Sequence, residues 1–215
     1  SLREAVIRHL SSIGIKGPAA ITDAALAAVH KEDSETDRLF ADPDPWPERV
    51  NGATLLDEIV SALKRYVILS DQAAHAIALW CIHTHAAEAS DVFPRLTFTS
   101  PEKRCGKTRG QEVIELIVLR PLRTGSITAA AVFRMIENFR PTILIDEADT
   151  FFSERDELRG IVNLGYRAGG FVPRCEGDDN SVRLFRAWGP LSIACIGNLP
   201  DTTMDRSIEI RMRRK

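Results

Sequence analysis

The segment that decides the fold is Arg95-Leu96-Thr97-Phe98-Thr99-Ser100-Pro101-Glu102-Lys103-Arg104-Cys105-Gly106-Lys107-Thr108. Arg95 to Thr99 reads as a strand, and a helix-compatible run from Gln111 to Leu119 follows the loop. A strand handing over to a helix through a loop that ends in Gly-Lys-Thr suits a phosphate chain. Consecutive backbone amides and the positive end of the helix dipole face the anion, the lysine reaches the terminal phosphates, and the hydroxyl can hold Mg2+. Gly106, Lys107 and Thr108 supply that ending in order. Pro101 stands where such a loop usually opens with glycine, and it has a fixed φ and no amide hydrogen. It sits at the loop entrance, so the amides of Arg104 to Thr108 stay available. Arg104, Cys105, Gly106, Lys107, Thr108 and Arg109 are therefore the candidate nucleotide-binding residues.

Two further strand ends carry chemistry. Thr142 to Ile145 reads as a buried strand whose apolar run stops abruptly at Asp146-Glu147-Ala148-Asp149. Asp146 joins Thr108 as a candidate Mg2+ ligand, and Glu147 can polarise a water for attack on the γ-phosphate. The strand Leu191 to Ile196 ends in Gly197-Asn198, and the Asn198 amide can bridge the γ-phosphate and that water. A surface Gly-Lys-Thr, a solvated acidic turn and a turn asparagine are each ordinary alone. Their occurrence in series, each at a strand end, argues for a nucleoside triphosphate site.

Short apolar or alternating runs at Arg95 to Thr99, Thr142 to Ile145, Leu191 to Ile196 and Ile208 to Met212 are separated by helical stretches. That spacing predicts a three-layer α/β fold with a mainly parallel sheet, whose ligands bind at the carboxyl ends of strands. Between a helix expected over Glu154 to Tyr166 and the Leu191 strand, two apolar runs flank Gly177-Asp178-Asp179-Asn180, a hairpin signal. Arg174, Arg183 and Arg186, with Phe171 and Phe185, offer phosphate contact and base stacking. An ordinary solvated hairpin at the sheet edge fits as well, since Glu176, Asp178 and Asp179 offset the arginines.

Upstream, Leu2, Ala5, Val6, His9 and Ile13 recur at helical spacing, and a second short helix is expected after Thr22 with Ala25, Ala28 and Val29 on one face. Lys31 to Glu48 is dense in charge and holds Pro43, Pro45 and Pro47, the composition of a linker. Thr54 and Asp57 resemble a capping box for a helix burying Leu56, Ile59, Val60, Leu63 and Val67. The next helix, from Ser70 or Asp71, is apolar nearly all round and is expected to be buried. The expected organisation is a helical extension and charged Pro-rich linker over 1–45, a helical segment packing on the core over 46–91, and an ATPase core over 92–215.

The 215 residues include 28 basic and 30 acidic side chains, a net charge of −2, so nucleic-acid binding must rest on a local patch. Hydrophobic residues make up 44% and charged residues 27%, which excludes a mainly disordered or low-complexity chain. No apolar run is long enough for a membrane span and no signal peptide is evident, so a soluble, cytoplasmic protein is expected. Cys81, Cys105, Cys175 and Cys195 are too scattered for a zinc ribbon or disulfide framework. Cys81, His83 and His85 invite a metal reading, but only Cys81 and His85 share a helix face, which favours core packing. The start at Ser1 and the stop in a basic run read as a fragment of a longer polypeptide.

These residues resemble the P-loop NTPases whose catalytic glutamate follows the second acidic motif, a division that holds the AAA+ and helicase-type ATPases. The chain is more similar still to ATPase-like domains of phage-, plasmid- and prophage-encoded replication proteins. The similarity runs through Trp46-Pro47, Leu55-Leu56-Asp57-Glu58, Ser100 to Thr108, Ile145 to Asp149, and Gly197-Asn198-Leu199-Pro200 leading to Asp205-Arg206-Ser207. The resemblance implies Lys107 on the phosphates, Thr108 and Asp146 on Mg2+, Glu147 as catalytic base, Asn198 as γ-phosphate sensor and Arg206 as a candidate arginine finger. It also implies a helical lid after the last strand. The expected activity is Mg2+-dependent ATP hydrolysis by a replication-associated ATPase or helicase module of a mobile element, acting as a homo-oligomeric ring on DNA, single-stranded by preference. A nucleotide-gated interaction module is the alternative.

Overall fold

The strands Arg95–Ser100 (β1), Pro121–Thr124 (β2), Thr142–Ile145 (β3), Leu191–Ile196 (β6) and Ser207–Arg211 (β7) form one five-stranded parallel sheet in the order β2-β3-β6-β1-β7. Phe171–Glu176 (β4) and Ser181–Arg186 (β5) pair antiparallel as a separate two-stranded sheet. This computed structural model describes residues 8–9, 11–12, 16–21, 40–148, 156–176 and 181–214, and the chain divides into two compact units, Ser1–Ala41 and Asp42–Lys215. In the first unit residues 8–9, 11–12 and 18–21 are helical. The helix expected after Thr22, the linker stretch Lys31 to Leu39, Asp149 and the hairpin tip 177–180 lie outside the described residues.

Among the described residues the α-helices of the second unit are Gly52–Tyr66 (α1), Asp71–Thr84 (α2), Lys107–Glu115 (α3), Ala129–Phe139 (α4), Asp156–Leu164 (α5) and the short Asp201–Met204 (α6). Two apolar clusters sort them. Leu96 and Phe98 of β1, Leu144 of β3 and Ala194 of β6 pack with α1, α2 and α3. Ile143 and Ile145 of β3, with Leu191, Ile193 and Cys195 of β6, pack with α4, α5 and the hairpin residues Val172 and Phe185. Alternate residues of one strand thus enter opposite clusters, as the pleat requires when a sheet is covered on both faces. The architecture is α/β with helices flanking a parallel sheet.

The bounds of β3 and β6 coincide with the runs read from sequence, β1 runs one residue further to Ser100, and β7 is shifted one residue toward the N-terminus. β2 was not foreseen: it opens on Pro121, carries an outward Arg123, and survives as the edge strand where a missing N–H costs least. α3 starts at Lys107 rather than Gln111, so the lysine and threonine form its first turn. The cap of α1 is Asn51, whose side chain accepts from the amides of Ala53 and Thr54 at 3.0 and 3.2 Å, not the Thr54–Asp57 pair. α2, capped by Ser70, is not buried all round: Leu79 is 56% exposed because the helix is covered by α1 and β1 only on the side of Ala74, Ile77 and Cys81. The hairpin does not close the edge of the main sheet. It packs instead on α4, where Phe185 meets Phe133 at 4.8 Å between ring centroids.

Candidate functional site

The strand order brings three strand tips together. β6 lies between β1 and β3, so the loop after β1, Gly197-Asn198 after β6 and Asp146-Glu147 after β3 stand side by side, with neighbouring strands roughly 4.8 Å apart. Backbone bonds knit the tips: Gly197 N donates to Ser100 O at 2.8 Å, Asp146 N to Thr124 O at 2.9 Å, and Ala148 N to Ala194 O at 2.9 Å.

The loop after β1 turns on two left-handed residues, Arg104 at φ 64° and Gly106 at φ 89°. Glycine carries that conformation without strain, whereas Arg104 holds it at a cost that recurs at functional sites. Gly106 caps α3 without any side-chain hydrogen bond, which leaves the first amides of the helix open to an anion. Lys107 Nζ donates to Ser100 Oγ at 2.5 Å, and that hydroxyl donates to Glu102 O at 2.6 Å. Across from it, Asp146 Oδ1 accepts from Glu147 N at 3.0 Å, and Glu147 stands at φ 53°, a second non-glycine residue held left-handed beside the cavity.

Lys103, Arg104, Lys107, Thr108, Asp146, Glu147 and Ile196 line one cavity of about 230 Å³. It joins a basic wall from the β1 loop to an acidic wall from the β3 tip. The hydroxyl of Thr108 and the carboxylate of Asp146 are hard oxygen donors of the kind Mg2+ takes, and both face this cavity. Asn198 lies instead in an adjoining cavity of about 400 Å³ with Ser100, Pro101, Arg211 and Arg213. The Arg109 side chain turns outward to Glu112 at 2.9 Å, and Cys105 is buried in the cluster under the loop, so neither side chain lines the cavity.

Two residues at this site were not singled out from sequence. Ser100 holds Lys107 through its hydroxyl and Gly197 through its carbonyl. Gln111, fully buried on α3, donates from Nε2 to Ile145 O at 2.9 Å, tying the helix after the phosphate loop to the residue before Asp146. Its Oε1 has no partner among the described residues. A polar residue on the buried face of α3 was the available signal for Gln111; nothing in the sequence marked Ser100.

Arg206 sits at the opposite end of the sheet, immediately before β7, and donates to Thr202 O while its guanidinium lies 5.1 Å from the Tyr166 ring centroid. Because β1 and β7 are parallel, Arg206 is separated from its own Lys107 by about the length of a strand, roughly 17 Å. The hairpin arginines do not form one stripe. Arg174 pairs with Glu157 and lies 5.1 Å from the Phe133 centroid, Arg183 lies 4.8 Å from that of Phe185, and Arg186 reaches Glu88 at 3.4 Å. Phe185 is 3% exposed, which corrects its reading as a base-stacking face; Phe171 remains half exposed. Cys81 is sealed in the core, where burial pushes its thiol up to about 12, while His83 meets Ser90 Oγ at 2.7 Å and His85 meets Ile117 O at 2.8 Å.

Among the described residues no helix is long and apolar enough to cross a membrane. No protein-family model matches the chain, and no curated protein matches it.

Proposed function

We propose that the second unit binds a nucleoside triphosphate, ATP by resemblance, and hydrolyses it with Mg2+. The observation that carries this reading is the single cavity in which Lys107 and Thr108, at the start of α3, face Asp146 and Glu147 at the tip of β3. Lys107 exchanges the Ser100 hydroxyl for β- and γ-phosphate oxygens, and the uncapped amides of α3 take the remaining charge. Thr108 and Asp146 would hold Mg2+, which supplies neutralisation of phosphate charge. Glu147 accepts a proton from water as the water oxygen bonds to the γ-phosphorus and the bond to the β-γ bridging oxygen breaks, releasing the nucleoside diphosphate and inorganic phosphate. Asn198, in the adjoining cavity, orients the γ-phosphate end. Arg206, too far from its own Lys107 to serve it, acts on the nucleotide of a neighbouring copy.

The replication role and the preference for single-stranded DNA rest on the resemblance in sequence, and the hairpin arginines are their candidate contacts. A nucleotide-gated interaction module is the second reading, favoured by the outer face of the hairpin, where Phe171, Val182 and Leu184 are 49%, 70% and 58% exposed. Calorimetric titration with Mg-ATP tests the core proposal: Lys107→Ala should lose most of its affinity, and unchanged binding would overturn the assignment. Phosphate release with and without single-stranded DNA then separates motor from switch, since only a motor needs stimulation.

A further inference from the structure

The two edges of the sheet carry features outside the cavity that joins Lys107 to Glu147. Outside β7 lies a groove of about 940 Å³ between that strand and the start of α2. Its floor is apolar, with Ile68, Ala73, Ile208 and Ile210, and β7 pairs only with β1 among the described residues, so its outer edge is unpaired. Ile68 is 69% exposed. The rim carries Arg211, Arg213 and Arg214; Arg211 Nε donates to Glu209 at 2.8 Å and Arg214 lies 4.0 Å from Glu102, which leaves the rim basic at Arg213. Arg213 makes no ion pair among the described residues.

The other edge presents a complementary object. Asp42 is held at 2.6 Å by Arg120, the residue preceding edge strand β2, and the chain from there to α1 is exposed and forms neither helix nor strand. That run contains Trp46, 72% exposed, between Asp44 and Glu48 and braced by Pro43, Pro45 and Pro47. Neither Asp44 nor Glu48 has an ion-pair partner among the described residues. An indole left in water on a proline-stiffened stem is poised to dock, because little conformational entropy remains to be lost.

We infer that the Asp42–Glu48 segment of one copy docks in the α2/β7 groove of a second copy, with Trp46 on the apolar floor and Asp44 and Glu48 against the arginine rim. Charge and polarity match: an acidic segment with one large apolar anchor meets an apolar groove with a basic rim. The same chain is poorly placed to fill its own groove. Four extended residues span about 14 Å, while the five strands alone span roughly 19 Å. Donor and acceptor on opposite edges make the contact head-to-tail, the heterologous arrangement that closes into rings or continues as filaments. The groove shares Glu209, Arg211 and Arg213 with the cavity around Asn198, so docking is felt beside the candidate nucleotide site.

The experiment uses the full chain without nucleotide, so its outcome is independent of the nucleotide assignment. Sedimentation velocity should show concentration-dependent assembly of the parent and none for Trp46→Ala or for Ile68→Glu, both at exposed positions. An equal mixture of those two variants should stop at dimers, because only one intact groove and one intact Trp46 can meet. A labelled peptide spanning residues 41–51 should bind the Trp46→Ala chain, weaken at least about tenfold on Ile68→Glu, and weaken on Arg213→Glu with recovery when the peptide carries Glu48→Lys. A parent that stays monomeric with no peptide binding overturns the inference, as does variant assembly equal to the parent. Equal binding of a tryptophan-free peptide of the same charge would make the groove a general acidic-segment site and overturn the assignment to a second copy.

Discussion

The two ends of the parallel sheet treat positive charge in opposite ways. At the carboxyl end Lys107 rests on a serine hydroxyl, Arg104 is held in a left-handed conformation, and the first amides of α3 are uncapped. At the amino end Arg95, 1% exposed, donates from Nε and Nη2 to Val162 O at 3.1 and 2.8 Å and from Nη1 to Gly189 O at 2.6 Å. Val162 O belongs to the last turn of α5, where carbonyls lack intrahelical partners and the helix dipole favours a cation. Burial pulls the Arg95 guanidinium down to about 9, still a cation near neutrality. Gly165 makes room for it, since a Cβ there would stand 2.0 Å from Ala187 O and 2.8 Å from Arg95 Nη2. One end spends its charge on fixing three elements to each other. The other leaves Lys107 on a single serine hydroxyl and the first amides of α3 uncapped.

Four measurements test that contrast. The largest effect is expected at the open end: Glu147→Gln should lower phosphate release by about 10²- to 10⁴-fold while unfolding free energy stays within about 0.5 kcal/mol of the parent. Equal turnover would remove Glu147 as base. At the closed end the pattern should invert. Arg95→Ala leaves two buried carbonyls unpaired and a void, costing about 4 kcal/mol in urea unfolding, with Mg-ATP affinity little changed in whatever fraction remains folded. Gln111 spans the two behaviours, so Gln111→Met should cost roughly 1 to 2 kcal/mol and also raise the Mg2+ concentration needed for turnover. A stability loss with an unchanged Mg2+ requirement would reduce Gln111 to packing. The smallest change is expected at the hairpin: replacing Arg174, Arg183 and Arg186 together should leave ATP binding intact and flatten the salt dependence of single-strand binding. Identical slopes would leave the hairpin as a support for α4.

Sequence reading reached furthest where local pattern and burial agree. Thr142 to Ile145 and Leu191 to Ile196 are short apolar runs, each preceded by a proline and ended by Asp146 or Gly197, and they became strands with the same limits. It failed where tertiary position overrides composition. Pro121 and Arg123 look unlike a strand, yet an edge position tolerates both. Leu79 sits in a helix whose apolar residues surround its axis, and only the placement of α1 and β1 decides which side is covered. Phe185 and Phe171 were equivalent as letters. The packing of the hairpin on α4 buried one and left the other half exposed.

The sequence by itself determined which residues have the chemistry for the site. Gly106, Lys107, Thr108, Asp146, Glu147 and Asn198 each follow a short apolar or alternating run that reads as a strand, and strand ends are where a parallel sheet exposes polar groups. What it could not determine is adjacency. Chain order runs β1, β2, β3, β6, β7, whereas space orders them β2-β3-β6-β1-β7. That permutation follows from how crossover helices pack on two faces of one sheet, a property of the whole hydrophobic core rather than of any segment. It puts Lys107 and Glu147 on one cavity, moves Asn198 to the next, and sets Asp42, held beside β2, and the groove beside β7 at opposite edges, while the parallel run of β7 leaves Arg206 at the far end.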